Sequence, residues 1–107
     1  MENKRKVYIS LPISGYDIEE RRDTAMKMEI RLRGCGFDVF NPLGDGWVEG
    51  LTTQQYMKRD LKGLLECDTI IFLKGFNHSA GCHTEMTNAF ATGMDIWFEE
   101  QVNMELK

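Results

Sequence analysis

The chain has 107 residues, of which 42% are hydrophobic and 28% are charged, as in an ordinary globular domain. Its formal net charge of -4 argues against a non-specific nucleic-acid binder, which needs a basic face, but allows a site for one small anion. No apolar run reaches the roughly 20 residues that cross a bilayer, and the N-terminus carries no secretory signal. We therefore expect one cytoplasmic domain over residues 1–107 that binds neither membranes nor nucleic-acid polymers.

The cysteines and histidines give no sign of a disulfide framework or a metal site. The chain has an odd number of cysteines, Cys35, Cys67 and Cys82, and no two of them have the short spacing of a paired motif. This pattern is typical of thiols that stay reduced. His78 and the adjacent pair Cys82-His83 offer too few ligands for a tetrahedral metal ion. We therefore expect neither a metal nor a cofactor.

The chain begins with a strand followed by an amphipathic helix. The β-branched and aromatic run over residues 6–11 predicts a buried strand, which ends at Pro12. Asp17 and Glu20 resemble a capping box, which predicts that a helix begins here. A Gly-Cys-Gly sequence over residues 34–36 ends this helix. Its apolar positions recur with the helical period and are Ile18, Ala25, Met28 and Leu32.

A second strand and a long irregular loop come next. Residues 37–40 have the pattern of a strand, which stops at Asn41-Pro42. The loop over residues 43–53 contains three glycines, and loops of this length in compact domains are often lids or binding loops. Trp47 lies in this loop. Its indole either stacks on a flat ligand or packs the loop onto the core, and the sequence leaves both possibilities open.

The second half of the chain repeats the alternation of helix and strand. Thr52 or Thr53 caps a helix whose apolar face comprises Met57, Leu61, Leu64 and Leu65. The apolar run over residues 69–73 predicts a third strand, and residues 94–98 predict a fourth. Between them, a helix over residues 80–92 is expected to pack through Met86, Ala89 and Phe90. The remaining polar residues have no assigned structure.

Alternating strands and helices predict an α/β fold, a single-domain Rossmann-like and flavodoxin-like three-layer sandwich. We expect a four-stranded parallel sheet in the order 2-1-3-4 with helices on both faces. Ligands of such sheets bind beyond the carboxyl ends of the strands where strand order reverses, here between the first and third strands. We expect residues 10–16, residues 41–47 and residues 79–85 to meet in this crevice, and among them the candidate site residues Ser14, Gly15, Tyr16, Asn41, Trp47, Ser79, Gly81 and Glu85.

Residues 77–90 form the most informative stretch, since they join the third strand to the third helix. Ser79 and Gly81 are expected in the turn, where small residues let a ligand approach the backbone. Glu85 is expected near the first helical turn, where the helix dipole favours a carboxylate. Such a corner can bind an anion and present a nucleophile. The same residues are equally consistent with a purely structural role, in which Ser79 only caps the helix and Glu85 is an ordinary acid near its start.

Several motifs occur in a fixed order along the chain. They are a Pro-Ile-Ser-Gly turn after the first strand, Phe40-Asn41-Pro42, Arg59-Asp60-Leu61, Cys67-Asp68 before an apolar strand, and Ser79-Ala80-Gly81 followed by Glu85. Together they resemble the nucleoside 2-deoxyribosyltransferase superfamily, which includes the 2′-deoxynucleoside 5′-phosphate N-hydrolases. The resemblance covers most of the chain and implies one domain of this kind over residues 1–107.

The resemblance implies cleavage of an N-glycosidic bond by double displacement. The glutamate that matches Glu85 attacks the anomeric carbon, and water or a second base resolves the glycosyl-enzyme. A carboxylate is a suitable nucleophile toward an oxocarbenium-like centre. The aspartate that matches Asp60 positions the sugar or helps to protonate the departing base.

The resemblance also indicates a (deoxy)nucleoside 5′-monophosphate as substrate. Relatives that act on free nucleosides carry an aspartate where this chain has Ser79, whereas the nucleotide hydrolases carry a serine that contacts the phosphate. Ser14 and Gly15 are expected to complete this cradle. The chain departs from phosphate-handling relatives in lacking an arginine in the first loop, since Arg21 and Arg22 lie further on in the helix.

Two classes of function remain open, an N-glycosidase or deoxyribosyltransferase and a non-catalytic nucleotide-binding module. In the second, Glu85 only contacts a sugar hydroxyl. The sequence favours the enzyme over the binding module, because Glu85, Asp60 and Ser79 occur together and binding alone needs no nucleophile. A four-stranded sheet in so short a chain leaves apolar helix surface uncovered, so we expect a homodimer or a larger homo-oligomer.

Overall fold

The computed structural model describes residues 5–105, which form four β-strands and four α-helices. Residues 1–4, where no secretory signal was found, and residues 106–107, part of the unassigned tail, lie outside the described residues. A 3₁₀ turn at Phe76–His78 precedes the third helix. In chain order the elements are β1 Lys6–Ser10, α1 Ile18–Gly34, β2 Asp38–Phe40, α2 Thr53–Leu65, β3 Thr69–Phe72, α3 Ala80–Ala91, β4 Asp95–Phe98 and α4 Glu99–Glu105.

All four strands pair in parallel in the order β2-β1-β3-β4, which confirms the predicted topology. In the centre of the sheet, Tyr8 on β1 lies opposite Phe40 on β2. Ser10, the last residue of β1, lies opposite Phe72 on β3. Register partners project to the same face of a sheet, so these four side chains share one face.

Alternate residues of β1 face two different helical layers, which confirms the three-layer sandwich. Val7 and Ile9, together with Leu11 directly after the strand, pack with residues of α1 and α4, and we call this side the apolar face. Tyr8 packs with residues of α2 and α3, and we call this side the site face. The buried helical residues of the apolar face are Ala25, Met28, Leu32 and Val102.

Helix α1 begins at Asp17, whose side chain accepts a hydrogen bond from the backbone N–H of Glu20 at 3.0 Å. The predicted capping box is only half formed. The Glu20 carboxylate accepts bonds from Arg21 and Thr24 and does not return to the N-cap backbone. The predicted apolar stripe of α1 is otherwise confirmed, with three of its four residues buried against the sheet.

Helix α2 begins at Thr52 with a complete capping box. The Thr52 hydroxyl accepts from the Gln55 backbone N–H at 3.1 Å, and the Gln55 side-chain oxygen accepts from the Thr52 backbone N–H at 2.8 Å. Gly63 lies where this helix crosses the ring of Phe40. A Cβ at this position would lie 2.3 Å from Phe40 Cζ, so the helix packs this closely only because residue 63 is glycine.

Two predictions about local structure are wrong, and one segment that had no assigned structure is a helix. Residues 99–105 form α4, whose Val102 is buried in the apolar face. Leu65 and Phe90, which were assigned to packed helix faces, are 60% and 69% exposed. Each follows a buried residue directly, and neighbouring residues of an α-helix point about 100° apart, so both cannot face the sheet.

Candidate active site

Among the described residues, Glu85 is the only buried acid, with 6% of its surface exposed. Each oxygen of its carboxylate accepts a hydrogen bond from a side chain of β1. The Ser10 hydroxyl donates to Oε1 at 2.6 Å, and the Tyr8 phenol donates to Oε2. A buried carboxylate with two such donors is oriented and partly compensated for its removal from water.

The strand geometry explains why these two donors meet one acid. Tyr8 and Ser10 are two residues apart on β1, so both side chains project to the site face near its carboxyl end. Helix α3 starts beyond the neighbouring strand β3 and brings Glu85 over the same part of the sheet. The site therefore lies at the predicted carboxyl edge, between β1 and β3.

Glu85 is the sixth residue of α3 and does not lie in its first turn, which corrects the prediction. The favourable effect of a helix dipole falls off within the first turn, so it contributes little at this position. The hydroxyl groups of Tyr8 and Ser10 supply the polar partners instead.

Burial raises the pKa of Glu85 to about 7 and the pKa of Asp60 to about 6. For Glu85, the hydrogen bonds from Ser10 and Tyr8 oppose this rise, whereas the charge of Asp60 adds to it. For Asp60, only the charge of Arg59 opposes the effect of burial. The two carboxyl groups therefore titrate as an interacting pair close to neutral pH.

Tyr8 remains protonated in this environment. Burial, and then the nearby charge of Glu85, raise the pKa of the Tyr8 phenol well above its ordinary value. A phenol that keeps its proton can donate to Glu85 and cannot compete with it as a second anion.

Asp60 lies on α2, partly buried, and its charge acts on both Glu85 and Tyr8. The preceding residue, Arg59, donates from Nη2 to the backbone oxygen of Pro42 at 2.7 Å. This bond ties α2 to the start of the second loop. The structure therefore brings Asp60 and Glu85 into one electrostatic unit.

The first loop carries Ser14, Gly15 and Tyr16, all of them exposed. Gly15 has a φ of 85°, in the left-handed region that glycine adopts without strain. The Tyr16 hydroxyl lies 3.3 Å from where a Cβ of Gly75 would be, so the first loop approaches the connection between β3 and α3. Arg21 lies 4.4 Å over the Tyr16 ring and holds it in place.

The second loop carries Asn41 and Trp47, neither of which is bound to Glu85. Asn41 donates to the Glu29 side chain at 3.0 Å and accepts from the Leu43 backbone N–H at 2.9 Å. Trp47 packs against the apolar face beneath Arg22, whose guanidinium carbon lies 4.8 Å from the ring centroid. This packing matches the second interpretation of Trp47, in which the indole holds the loop on the core, and ligand stacking stays a prediction.

Ser79 is the N-cap of α3, and its hydroxyl oxygen accepts from the Cys82 backbone N–H at 3.2 Å. Gly81 is the second residue of the helix and does not lie in the turn, contrary to the prediction. A Cβ on Gly81 would lie 3.7 Å from Met57 Cε, an ordinary contact between α3 and α2. Ser79 thus has the capping role that the sequence left open, and its hydroxyl proton is not used in this bond.

Sequence reasoning missed Tyr8, and it placed Ser10 in the crevice without identifying it as a partner of Glu85. Both lie within the run over residues 6–11, which was interpreted as a buried strand. The signal was their alternation, because a phenol and a hydroxyl at positions 8 and 10 must share one buried face and need a polar partner there.

Within residues 5–105, no three side chains among His, Cys, Asp and Glu are grouped to hold a metal ion. In the same part of the chain, no helix combines the length and the apolar character that crossing a membrane requires. Cys35, Cys67 and Cys82 are free thiols, of which the last two are buried.

Solved structures share this fold. The chain aligns with the CMP N-glycosidase BcmB of Clostridium botulinum at a TM-score of 0.62 and 23% identity, over 88% of this chain and 70% of that one. A 2-deoxyribosyltransferase of Bacillus psychrosaccharolyticus gives a TM-score of 0.65 and 21% identity, over 87% and 70% of the two chains. A conserved protein of Enterococcus faecalis V583 gives a TM-score of 0.66 and 18% identity, over 90% of this chain and 63% of that one. The resemblance to the nucleoside 2-deoxyribosyltransferase superfamily is thereby confirmed at the level of the fold.

No curated protein matches the sequence. A family model described as a domain of unknown function, DUF4406, matches residues 5–98. This range includes all four strands and the residues Tyr8, Ser10, Asp60 and Glu85. The chain therefore belongs to the DUF4406 family, and it has the fold of a 2-deoxyribosyltransferase.

Proposed function

We propose that this protein cleaves the N-glycosidic bond of a (deoxy)nucleoside 5′-monophosphate, with Glu85 as nucleophile and Asp60 as its acid–base partner. The observation that carries the proposal is the buried Glu85 carboxylate, which Tyr8 and Ser10 hold within range of the charge of Asp60. Interacting carboxyl groups with raised pKa values are typical of catalytic sites. The shared fold with a CMP N-glycosidase and a 2-deoxyribosyltransferase supports the same class of reaction.

The reaction has two steps. In the first, a Glu85 oxygen bonds to C1′ of the sugar while the bond from C1′ to the base nitrogen breaks, and the base leaves with that electron pair. Asp60 in its protonated form donates a proton to the base. In the second, water attacks C1′, the ester bond to Glu85 breaks, and Asp60 accepts the proton of the water. Sugar phosphate and the original carboxylate result.

With these pKa values the shared proton lies mainly on Glu85 in the free protein, so the reacting form, with Glu85 ionised and Asp60 protonated, is the minor one-proton form. Between about pH 6 and about pH 7 the two carboxyl groups together carry close to one proton. The reaction needs one ionised and one protonated carboxyl group, so its rate should pass through a maximum near this range. Replacing water with a second base in the second step would give transfer instead of hydrolysis.

The substrate phosphate is proposed to bind at the start of α3. The Ser79 oxygen accepts from the Cys82 amide and its hydroxyl can also donate, and the first amides of a helix point toward an anion placed at its N-terminus. Gly81 is proposed to leave room for the anion at this end of the helix, and Ser14 and Gly15 are proposed to complete the phosphate site from the first loop. Tyr16, Asn41 and Trp47 are proposed to contact the sugar and base. A monophosphate should accordingly bind more tightly than its nucleoside in calorimetry.

The test is a product screen. Purified protein is incubated with each ribo- and deoxyribonucleoside 5′-monophosphate and each matching nucleoside, and free base is followed by chromatography and mass spectrometry. Release of base from at least one monophosphate, lost in Glu85→Gln, supports the proposal. Tight binding of a nucleotide without any release of base would favour the non-catalytic binding module.

We also propose that the protein self-associates as a homodimer or larger homo-oligomer. Leu65 on α2 and Phe90 on α3 expose large apolar side chains, which are candidates for burial against a second copy. Sedimentation at tens of micromolar, a concentration at which weak association is measurable, should give a mass above that of one chain. A single species of 12.4 kDa would contradict this.

A further inference from the structure

We propose that Phe40 is a positioning residue for the Glu85 carboxylate and that it acts through Tyr8. The inference deepens the proposed function and rests on it. Phe40 is on β2 and makes no hydrogen bond to Glu85, so its influence has to pass through a neighbouring side chain.

The first step is the contact between Phe40 and Tyr8. The two side chains lie opposite each other on adjacent strands, and their rings stack with centroids 5.4 Å apart and an angle of 7° between the planes. Stacked aromatic pairs at this spacing are favourable beyond the area they bury. Phe40 therefore restricts the ring of Tyr8 on the side that faces the edge of the sheet.

The second step is what restricts Phe40. Its ring occupies the space that a side chain at position 63 of α2 would fill, with three ring carbons between 2.3 and 2.7 Å from the position of a Cβ. The ring is thus enclosed between the backbone of Gly63 and the ring of Tyr8. It cannot shift in either direction without moving the helix or the tyrosine.

The third step is the consequence at the carboxylate. Tyr8 is fully buried and donates to one Glu85 oxygen, while Ser10 donates to the other. Ser10 alone leaves the carboxylate free to rotate about that bond, whereas two donors fix both oxygens. A series of contacts thereby connects the packing of α2 to the orientation of the reacting group, and it runs from Gly63 through Phe40 and Tyr8 to Glu85.

A double-mutant cycle tests this connection. The four proteins are wild type, Tyr8→Phe, Phe40→Leu and the double variant, each assayed for kcat and KM on the substrate found in the product screen. Phe40→Leu should lower kcat by about tenfold to a hundredfold, the range for a misplaced reacting group or a lost bond to a charge, with KM little changed. In the Tyr8→Phe background, Phe40→Leu should have almost no further effect, because the bond that it controls is already gone.

A second readout does not depend on turnover. Titration of carbon-13-labelled glutamate by NMR gives the pKa of Glu85 in the same four proteins. Tyr8→Phe and Phe40→Leu should each raise it, since the bond from Tyr8 favours the charged form, and the double variant should match Tyr8→Phe. If the wild type proves inactive, the proposed function fails, but this titration still decides the role of Phe40.

Two controls separate positioning from general packing. Phe37→Leu removes a partly buried ring that packs with Trp97 on the apolar face, and it should leave kcat and the pKa of Glu85 unchanged. Gly63→Ala, which forces the Phe40 ring to move, should reproduce the effects of Phe40→Leu. Effects of Tyr8→Phe and Phe40→Leu that multiply independently, or an equal loss of kcat in Phe37→Leu, would overturn the proposal.

Discussion

The two faces of the sheet share the central strand β1 but differ in the side chains that they bury. On the apolar face, Val7, Ile9 and Leu11 meet hydrophobic side chains of α1 and α4, and the described core there contains no buried acid. On the site face, Tyr8 and Ser10 meet Glu85 on α3. The hydroxyls of Tyr8 and Ser10 and both oxygens of Glu85 are paired there, which is required for burial at acceptable cost, whereas Nη1 of Arg59 on α2 is buried without a hydrogen-bond partner.

This difference indicates that the residues that stabilise the fold and the residues proposed to react project from opposite sides of one strand. The apolar face gains from every side chain that leaves water, at about 25 cal/mol per Å² of apolar surface. The site face includes a carboxyl group that burial disfavours in its charged form, as its raised pKa indicates. Variants on the apolar face should therefore alter folding, and variants on the site face should alter reaction.

The largest expected effect is on the reaction. Glu85→Gln keeps the shape of the side chain and removes the attacking charge, so kcat should fall by several orders of magnitude. Its free energy of unfolding at pH 8 should be at least that of the wild type, because a neutral amide is less costly to bury than a carboxylate. Enzyme assay and urea unfolding measure the two quantities.

A matched control for this variant is Asp68→Asn, which neutralises an acid at the opposite end of the sheet. Asp68 accepts from the Lys6 backbone N–H and lies 3.9 Å from Arg5, far from the reacting pair in the fold. It should keep the parental kcat. Equal losses of kcat in both variants would contradict a specific role for Glu85.

The apolar face should show the reverse pattern. Leu32→Ala removes a fully buried side chain of α1 and should lower the free energy of unfolding by roughly 2–5 kcal/mol. The kcat of the folded fraction should stay close to that of the wild type. Urea unfolding and assay below the transition test this. A kcat that falls along with the stability would show that the two faces are not independent.

The third prediction concerns the pH dependence of stability. The pKa of Glu85 rises from an ordinary value of 4.5 to about 7 on folding, so the folded protein holds a proton that the unfolded chain releases between these values. The stabilisation linked to this proton is fully present below about pH 4.5 and is lost as the pH rises through about 7. At about 1.4 kcal/mol per pKa unit, the loss amounts to roughly 3 kcal/mol.

Urea unfolding of the wild type and Glu85→Gln between pH 4.5 and pH 8 measures this loss. The difference in unfolding free energy between the two proteins should move in favour of Glu85→Gln as the pH rises. Asp60, whose pKa is also raised, contributes a slope of the same sign to both proteins, and this slope cancels in the comparison except for the part that comes from its interaction with Glu85. A difference that is independent of pH would contradict a raised pKa for Glu85.

The smallest expected effect concerns the loop on the apolar face. Arg22→Ala removes the cation over Trp47 and a hydrogen bond at 3.2 Å to the Leu43 backbone oxygen. A cation–π contact is worth about 0.5–1 kcal/mol at exposed sites and about 2 kcal/mol when desolvated, and both side chains are half-buried, so the loss of stability should be about 1 kcal/mol. Nucleotide binding in calorimetry should also weaken, because Trp47 is proposed to contact the ligand and Arg22 lies over its ring. Unchanged affinity would contradict the proposed ligand contact of Trp47.

Much of the fold could be predicted because it follows from local patterns. The alternation of strands and helices gave the order 2-1-3-4, and helix caps at Asp17, Thr52 and Ser79 were visible as residue types at fixed spacing. Helix α4 could not be predicted from its own polar residues, since only Val102 packs on the core. Its formation depends on a tertiary contact.

The candidate site was predicted less completely, for a physical reason. Glu85 and Asp60 were found by residue type and motif, but their partners depend on which face of β1 each side chain occupies. Tyr8 and Ser10 become visible only when β1 is paired and α3 is placed over it. The requirement for glycine at position 63 was equally hidden from the sequence, because it comes from the ring of Phe40, which lies on another element.

The most direct test of the central claim, that Glu85 attacks the sugar, is to find the glycosyl-enzyme. Wild type is mixed with a reactive nucleoside 5′-monophosphate or its 2′-fluorinated analogue, whose fluorine slows reaction at an oxocarbenium-like centre. The sample is quenched in acid and mapped by peptide mass spectrometry. We expect a sugar phosphate attached to the peptide that contains Glu85, and no such adduct in Glu85→Gln. An adduct on Asp60, or turnover by Glu85→Gln at near the parental rate, would contradict the account.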